Sequence, residues 1–271
     1  MENGQKKVLC IQDLSCVGRC SMTVALQVFG AMGIQAVPLP TQLLSTHTGG
    51  LGRPAVLDGM EFCLAALRHW KTLGMEFDCI YAGYLGGTAQ AGLVRQAFAL
   101  WPDSYKVVDP VMGDHGVLYS AITPEVCGEI AALCRSADLI LPNLTEACRL
   151  LGVEMPQNEP DGETALALAA RLSELGPAVV ITGIPMEKYL CCAGGGRESF
   201  LIKKLAEPRS FPGTGDLFAS VLVGCLVRGN ALSAAADAGA EFVKLAIRAT
   251  PAKADPRHGV WFEKELRRLT E

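Results

Sequence analysis

The sequence predicts an α/β fold, a three-layer α/β/α sandwich with a central, mainly parallel sheet. Three observations carry this. Short apolar runs alternate with helical patterns from residue 8 to residue 182. Each run is bounded by polar or glycine-rich clusters, as strands of a parallel sheet are. Half of the 271 residues are hydrophobic, enough to fill a core on both faces of such a sheet.

The first strand is Val8-Leu9-Cys10-Ile11, which ends at Gln12-Asp13-Leu14-Ser15, and a helical pattern through Met22, Ala25, Leu26, Val28, Phe29 and Met32 follows. The rhythm repeats with a strand at 35–39, a helix at 55–73, a strand at 78–82 and a helix at 88–100. Further strands are expected at 105–108, 137–141 and 178–182. Beyond Thr182 the pattern changes, because Tyr189–Cys192 and Ser199–Ile202 flank Gly194-Gly195-Gly196 and read as a hairpin. Two helices close the order, from Asp216 to about Arg228 and from Ala231 to about Ala249, separated by Gly229-Asn230. No repeat, low-complexity tract or long linker interrupts the chain, so residues 1–271 are expected to form one domain.

In sheets of this kind ligands bind beyond the carboxyl ends of the strands, so the polar residues after each run are the candidate site. These are Asp13 and Ser15 after the first strand, then Thr41, Ser45, His47, Thr48 and Gly49 after the second. Tyr84 stands in the glycine-rich segment after the third, Asp109 and Asp114 follow the fourth, Asn143 and Glu146 the fifth, and Thr182 and Gly183 the sixth. Loop ends are polar in any protein, and Thr145 with Glu146 could simply cap the helix that follows. Their coincidence at one edge is what singles them out. Asp109, Asp114 and Glu146 bring hard oxygen donors suited to Mg²⁺ beside a phosphate, with capping and turn formation as the alternative. His47 and Tyr84 offer rings for an aromatic substrate, or a structural hydrogen bond and a pocket wall.

The segment Ser210-Phe211-Pro212-Gly213-Thr214-Gly215-Asp216 runs into the apolar stretch from Leu217 to Gly224 and reads as a helix start. The first turn of a helix has unpaired N–H groups and the positive end of the macrodipole, so an anion can rest on Gly213 to Gly215. Asp216 there is either a favourable carboxylate at a helix N-terminus or a base beside the anion site. Phe242 and Val243, in the last helix, are read as walls of an adenine pocket, with helix packing as the alternative.

Composition narrows the function. The net charge of −4 shows no basic patch, which argues against a nucleic-acid partner. The eleven cysteines include no C-x-x-C pair and fall largely in apolar runs, as small buried residues do in a reducing compartment. The polar N-terminus resembles neither a signal peptide nor a membrane span, so no membrane partner and a cytoplasmic location are expected. A dinucleotide-binding oxidoreductase wants G-x-G-x-x-G after the first strand, where this chain has only Gly18.

Cys10-Ile11-Gln12, Ser45-Thr46-His47-Thr48-Gly49, Gly83-Tyr84-Leu85-Gly86, Val108 to Asp114, Pro142 to Glu146 and Gly213 to Asp216 together give the chain its family likeness. Over nearly its whole length it resembles the pyridoxal kinases of the ribokinase-like superfamily. A G-x-x-x-x-G-K-[ST] string is absent, and this superfamily uses the glycine-rich helix start instead.

The resemblance implies transfer of the γ-phosphoryl group of ATP, with Mg²⁺, to the 5′-hydroxymethyl group of a B6 vitamer. It makes Asp216 the base, with Gly213, Thr214 and Gly215 as the anion hole. Asp109, Asn143, Glu146, Thr182, Gly183, Thr214, Gly215 and Phe242 fall on the ATP side. Asp109, Asp114 and Glu146 fall on the metal, and Asp13, Ser15, His47, Thr48, Gly49, Tyr84 and Asp216 on the vitamin. A homodimer is implied as well.

One departure stands out. Pyridoxal kinases usually place serine after Ile-Gln, whereas this chain has Asp13 followed by Ser15, as the related hydroxymethylpyrimidine kinases tend to. That activity is the alternative, and a non-catalytic pyridoxal-binding relative is the second one.

Overall fold

A computed structural model describes residues 4–270. The chain runs β1 (Lys7–Val17), α1 (Ser21–Ala31), β2 (Gln35–Thr46), β3 (Val56–Asp58), α2 (Met60–Thr72), β4 (Cys79–Ala82), α3 (Thr88–Leu100) and β5 (Tyr105–Val108). A small hairpin of β6 (Gly113–Asp114) and β7 (Val117–Leu118) follows, then α4 (Pro124–Cys134), β8 (Leu139–Ile140), α5 (Leu144–Leu151) and α6 (Gly162–Ser173). The last elements are β9 (Ala178–Met186), β10 (Tyr189–Gly195), β11 (Phe200–Leu205), α7 (Thr214–Val227) and α8 (Leu232–Ala249).

Nine strands form one sheet in the order β11-β10-β9-β8-β5-β4-β1-β2-β3. From β9 to β2 every pairing is parallel, while β3 and β10 run antiparallel to their neighbours. The strand order turns outward in two directions from β1 and β4, so the crevice of a doubly wound sheet opens there. Side-chain alternation sorts the core into two layers. Leu9, Ile11, Ile80, Val108, Ile140 and Val179 pack with α2 to α6, and Val8, Cys10, Tyr81, Val107, Leu139 and Val180 pack with α1, α7 and α8. The three-layer sandwich with a mainly parallel sheet is as the sequence predicts.

Two elements differ from expectation. The helix expected from residue 55 begins at Met60, because Val56–Asp58 pairs with Gln42–Leu44 as an added edge strand. The first strand continues past Ile11 to Val17 through a register shift between Gln12 and Leu14, so Asp13 and Ser15 lie within a strand rather than in the loop after it. Among the described residues no helix is long and apolar enough to cross a membrane.

Candidate active site at the carboxyl rim of the sheet

A cavity of about 380 Å³ opens at the carboxyl ends of β5, β8 and β9, against the start of α7. That volume lies within the range of small-ligand sites. Asp109, Asp114, Asn143, Glu146, Thr182, Gly183 and all of Gly213–Asp216 line it, residues the sequence assigns to nucleotide, metal and transfer. Its apolar end is walled by Leu190, Leu205, Val243 and Ile247.

Phe242 does not line it. At 3 % exposure it packs into the core with Phe218 and Ala246, and the helical period turns Val243, the next residue, toward the cavity. Of the two residues read as an adenine wall, Val243 lines the cavity and Phe242 does not.

The helix start has the geometry its sequence requires. Gly213 is the N-cap of α7 with φ 79°, and a Cβ on it would lie 1.9 Å from the Arg19 carbonyl oxygen. Only glycine fits both the backbone and the space. The N–H groups of the first turn have no acceptor within the helix, and their residues line the cavity.

Asp216 stands in that turn. Burial pushes its carboxyl up to about 7, the Ser21 N–H draws it down and the Asp13 charge raises it further. Such a group changes protonation near neutral pH, which suits it to accept a proton. Ser21, at the start of α1, carries φ 47°, a left-handed conformation that a serine rarely adopts. The sequence reading missed Ser21; its only signal was its place just before an apolar helical pattern.

The carboxylates expected to hold a metal have separate partners. Glu146 is buried, and its Oε1 accepts from the N–H groups of Met112 at 2.9 Å and Gly113 at 3.4 Å. Its Oε2 accepts from Asn143 N–H at 2.8 Å, while Asn143 Oδ1 accepts from Glu146 N–H, closing a capping box on α5. Burial pushes the Glu146 carboxyl up to about 8 against those three amides. Asp109 is pushed well above the usual range by burial, then by the charges of Glu146 and Asp216. Asp114 is half-exposed, and its Oδ1 accepts from His115 N–H.

Among the described residues no three His, Cys, Asp or Glu side chains converge to hold a metal. Asp109, Asp114 and Glu146 all line the cavity, and Glu146 already accepts from three backbone amides.

The vitamin-side residues lie away from this cavity, around the ends of β1 and β2. Asp13 is 2 % exposed and accepts from Ser15 Oγ–H at 2.8 Å. Its carboxyl is raised by burial, against hydrogen bonds from Ser21 and Ser15. Tyr84 is half-buried near it, its phenol raised by burial and then by the Asp13 charge. Thr48 and Gly49 are exposed on the adjoining loop.

His47 makes the structural hydrogen bonds that the sequence left open beside a substrate role. Its Nδ1 accepts from Gly49 N–H at 3.0 Å, which leaves the proton on Nε2 to donate to the Arg257 carbonyl. Both ring nitrogens are engaged by backbone, and His47 ties this loop to the C-terminal segment.

Two lysines were not legible as site residues. Lys204 and Lys244 line the cavity and pair with Asp237 and Glu241 on α8, and their spacing in the sequence looks like ordinary solvent-facing charge.

An open α/β crevice, a glycine-made anion cradle and a carboxyl poised near neutrality define the class as a small-molecule kinase of the ribokinase-like fold. The family model for phosphomethylpyrimidine kinase matches residues 24–260. A Bacteroides thetaiotaomicron protein described provisionally as a phosphomethylpyrimidine kinase, crystallised with pyridoxal, is 36% identical with a TM-score of 0.92, covering 98% of this chain and 96% of its own. A pyridoxal kinase from Lactobacillus plantarum is 32% identical with a TM-score of 0.90, over 97% and 96% of the two chains. A pyridoxal kinase of Burkholderia lata is 28% identical, over 90% of this chain and 89% of its own. The chain belongs to the phosphomethylpyrimidine kinase family, alongside the ribokinase-like pyridoxal kinases.

Proposed function

We propose that this kinase transfers the γ-phosphoryl group of ATP to the 5′-hydroxymethyl group of pyridoxal, pyridoxine or pyridoxamine. The observation that carries the reading is Asp216 at the mouth of α7, its carboxyl pushed up to about 7 beside the cavity-facing first turn. Asp216 takes the proton of the attacking alcohol, and the amides of Gly213, Thr214 and Gly215 stabilise the charge spread over the transferring group. The nucleotide lies along Thr182, Gly183 and Val243, with Asn143 and Glu146 holding the rim that supports its phosphates. Asp13, Ser15 and Tyr84, with Thr48 and Gly49, receive the ring.

The donor set fits Mg²⁺ brought in with the nucleotide. That ion takes one or two carboxylates and completes its shell with water and phosphate oxygens, and Asp109 and Asp114 at the cavity wall are the residues to hold it. Bound there, it would neutralise phosphate charge. The unbroken sheet from residue 7 to residue 205 supports reading the chain as one domain.

A second reading, phosphorylation of hydroxymethylpyrimidine, is favoured by Asp13. A buried carboxylate accepts from a pyrimidine amino group or a protonated ring nitrogen, whereas a serine also donates. Offering the three B6 vitamers and hydroxymethylpyrimidine separately with MgATP, and identifying products by mass, tests both readings. The expected product is a 5′-phosphorylated vitamer. Phosphorylation of the pyrimidine alone replaces the first reading with the second, and no phosphorylated alcohol refutes both.

A further inference from the structure

Among the described residues six buried side-chain polar atoms have no hydrogen-bond partner, and four of them belong to one side of the sheet: both amide atoms of Gln12, the Tyr81 hydroxyl and the Ser220 hydroxyl. Cys10 and Tyr81 point into the layer of α1, α7 and α8. Gln12 and Gly83 are each two residues further along the same strands and face the same way. Gly83 leaves room for the amide, since a Cβ there would lie 2.0 Å from Gln12 Oε1.

Ser220 is fully buried, one helical turn beyond Asp216 on the same face of α7. Tyr81 is fully buried with its ring held edge-on by Phe29 of α1, the centroids 6.4 Å apart. After burial itself, the charges that reach its hydroxyl most strongly are those of Asp109 and then Asp216.

Native proteins rarely leave a buried amide and two hydroxyls unpaired, and buried water commonly bridges such groups with about three hydrogen bonds. The amide brings a donor and an acceptor, and each hydroxyl can turn to serve as either.

We propose that Gln12, Tyr81 and Ser220 enclose a buried water site behind Asp216, and that Tyr81 and Ser220 are positioning residues that hold the Asp216 carboxylate through that water. The inference rests on Asp216 as the base of the proposed reaction and adds the support behind it. From the cavity side Asp216 meets the substrate; from behind it receives the Ser21 N–H and, through water, these hydroxyls. Tyr81→Phe removes one oxygen and keeps the ring against Phe29, so the fold is expected to stand.

The test pairs crystallography with kinetics on the full chain. A high-resolution structure is expected to show an ordered water within hydrogen-bond reach of the Tyr81 hydroxyl and of Gln12 or Ser220. In Tyr81→Phe crystals the Asp216 carboxylate is expected to rotate or split between two poses. In solution Tyr81→Phe is expected to lower kcat roughly fivefold or more, with KM for ATP and for the alcohol held within about twofold and an unchanged melting temperature. Ser220→Ala should act in the same direction and serves if Tyr81→Phe folds poorly. A dry site, or an Asp216 pose identical in wild type and both variants, overturns the proposal. If the wild type phosphorylates no alcohol, the proposed function falls, while the water and the Asp216 pose still decide this inference.

Discussion

The two halves of the sheet's carboxyl rim are built on opposite plans. At β5, β8 and β9 the rim is open, and glycines and first-turn amides face a cavity of about 380 Å³. At β1 and β2 the polar residues are folded inward, with Asp13 at 2 %, Ser15 at 0 % and His47 at 7 % exposure, Asp13 and Ser15 hydrogen-bonded to each other and His47 to Gly49 and Arg257. A phosphate is met mainly by backbone, which any side chain can present once the glycines permit the turn. A ring is met by a few specific groups, and these must be held rigid beforehand. Under the proposed function, the open half sets the reaction and the closed half sets which alcohol enters.

Four substitutions test that division, from the largest effect to the smallest. Asp216→Asn, at the boundary of the halves, should lower kcat about 10²-fold or more with KM for ATP little changed; near-normal turnover in a steady-state assay would remove the base from the account. Gly213→Ala forces a left-handed alanine against the Arg19 carbonyl. It should cost roughly 1–3 kcal/mol of stability in urea unfolding and raise KM for ATP. An unchanged unfolding midpoint would mean that the cradle tolerates a side chain.

Asp13→Ser, in the closed half, should change the ratio of kcat/KM between pyridoxal and hydroxymethylpyrimidine by roughly tenfold while KM for ATP stays fixed. Equal changes for both alcohols would reduce Asp13 to a structural residue. His47→Ala should release the 45–49 loop from Arg257, at about 1–2 kcal/mol of stability, and raise KM for the alcohol but not for ATP. A rise in both would deny that the halves work separately.

Stability carries its own pH signature. The carboxyls of Asp216 and Glu146 are held above their ordinary values, at about 7 and about 8. Between the ordinary values and these, the folded protein binds more protons than the unfolded chain. Stability is therefore full at lower pH and falls as pH rises through that window. Melting temperatures from pH 5 to pH 8 should decline, less steeply in Asp216→Asn.

The open half was legible in the sequence because its parts are local. Pro212, two glycines and an apolar run announce a helix start, and a cap is expected ahead of Leu144–Leu151, though at Thr145 with Glu146, whereas the structure closes it between Asn143 and Glu146. The closed half was less so. Asp13 looked like a loop residue because strand signals end at a polar cluster, yet β1 continues past it to Val17, pairing with β2 on both sides of a register shift at Asp13. The partner of His47 is 210 residues away at Arg257, and no local pattern encodes such a contact. Phe242 and Val243 were separable only by the exact phase of α8 on its neighbours, and the unpaired hydroxyls of Tyr81 and Ser220 appear only once the layers are stacked.

The most direct test of Asp216 as a base in an amide cradle is the pH dependence of kcat in the wild type, set beside that of Asp216→Asn. The account predicts a wild-type rate that falls about tenfold per unit below pH 7, as the carboxyl takes up its proton, and a slow variant without that limb. A wild-type rate that is flat from pH 8 down to pH 5, or the same limb in the variant, would contradict it.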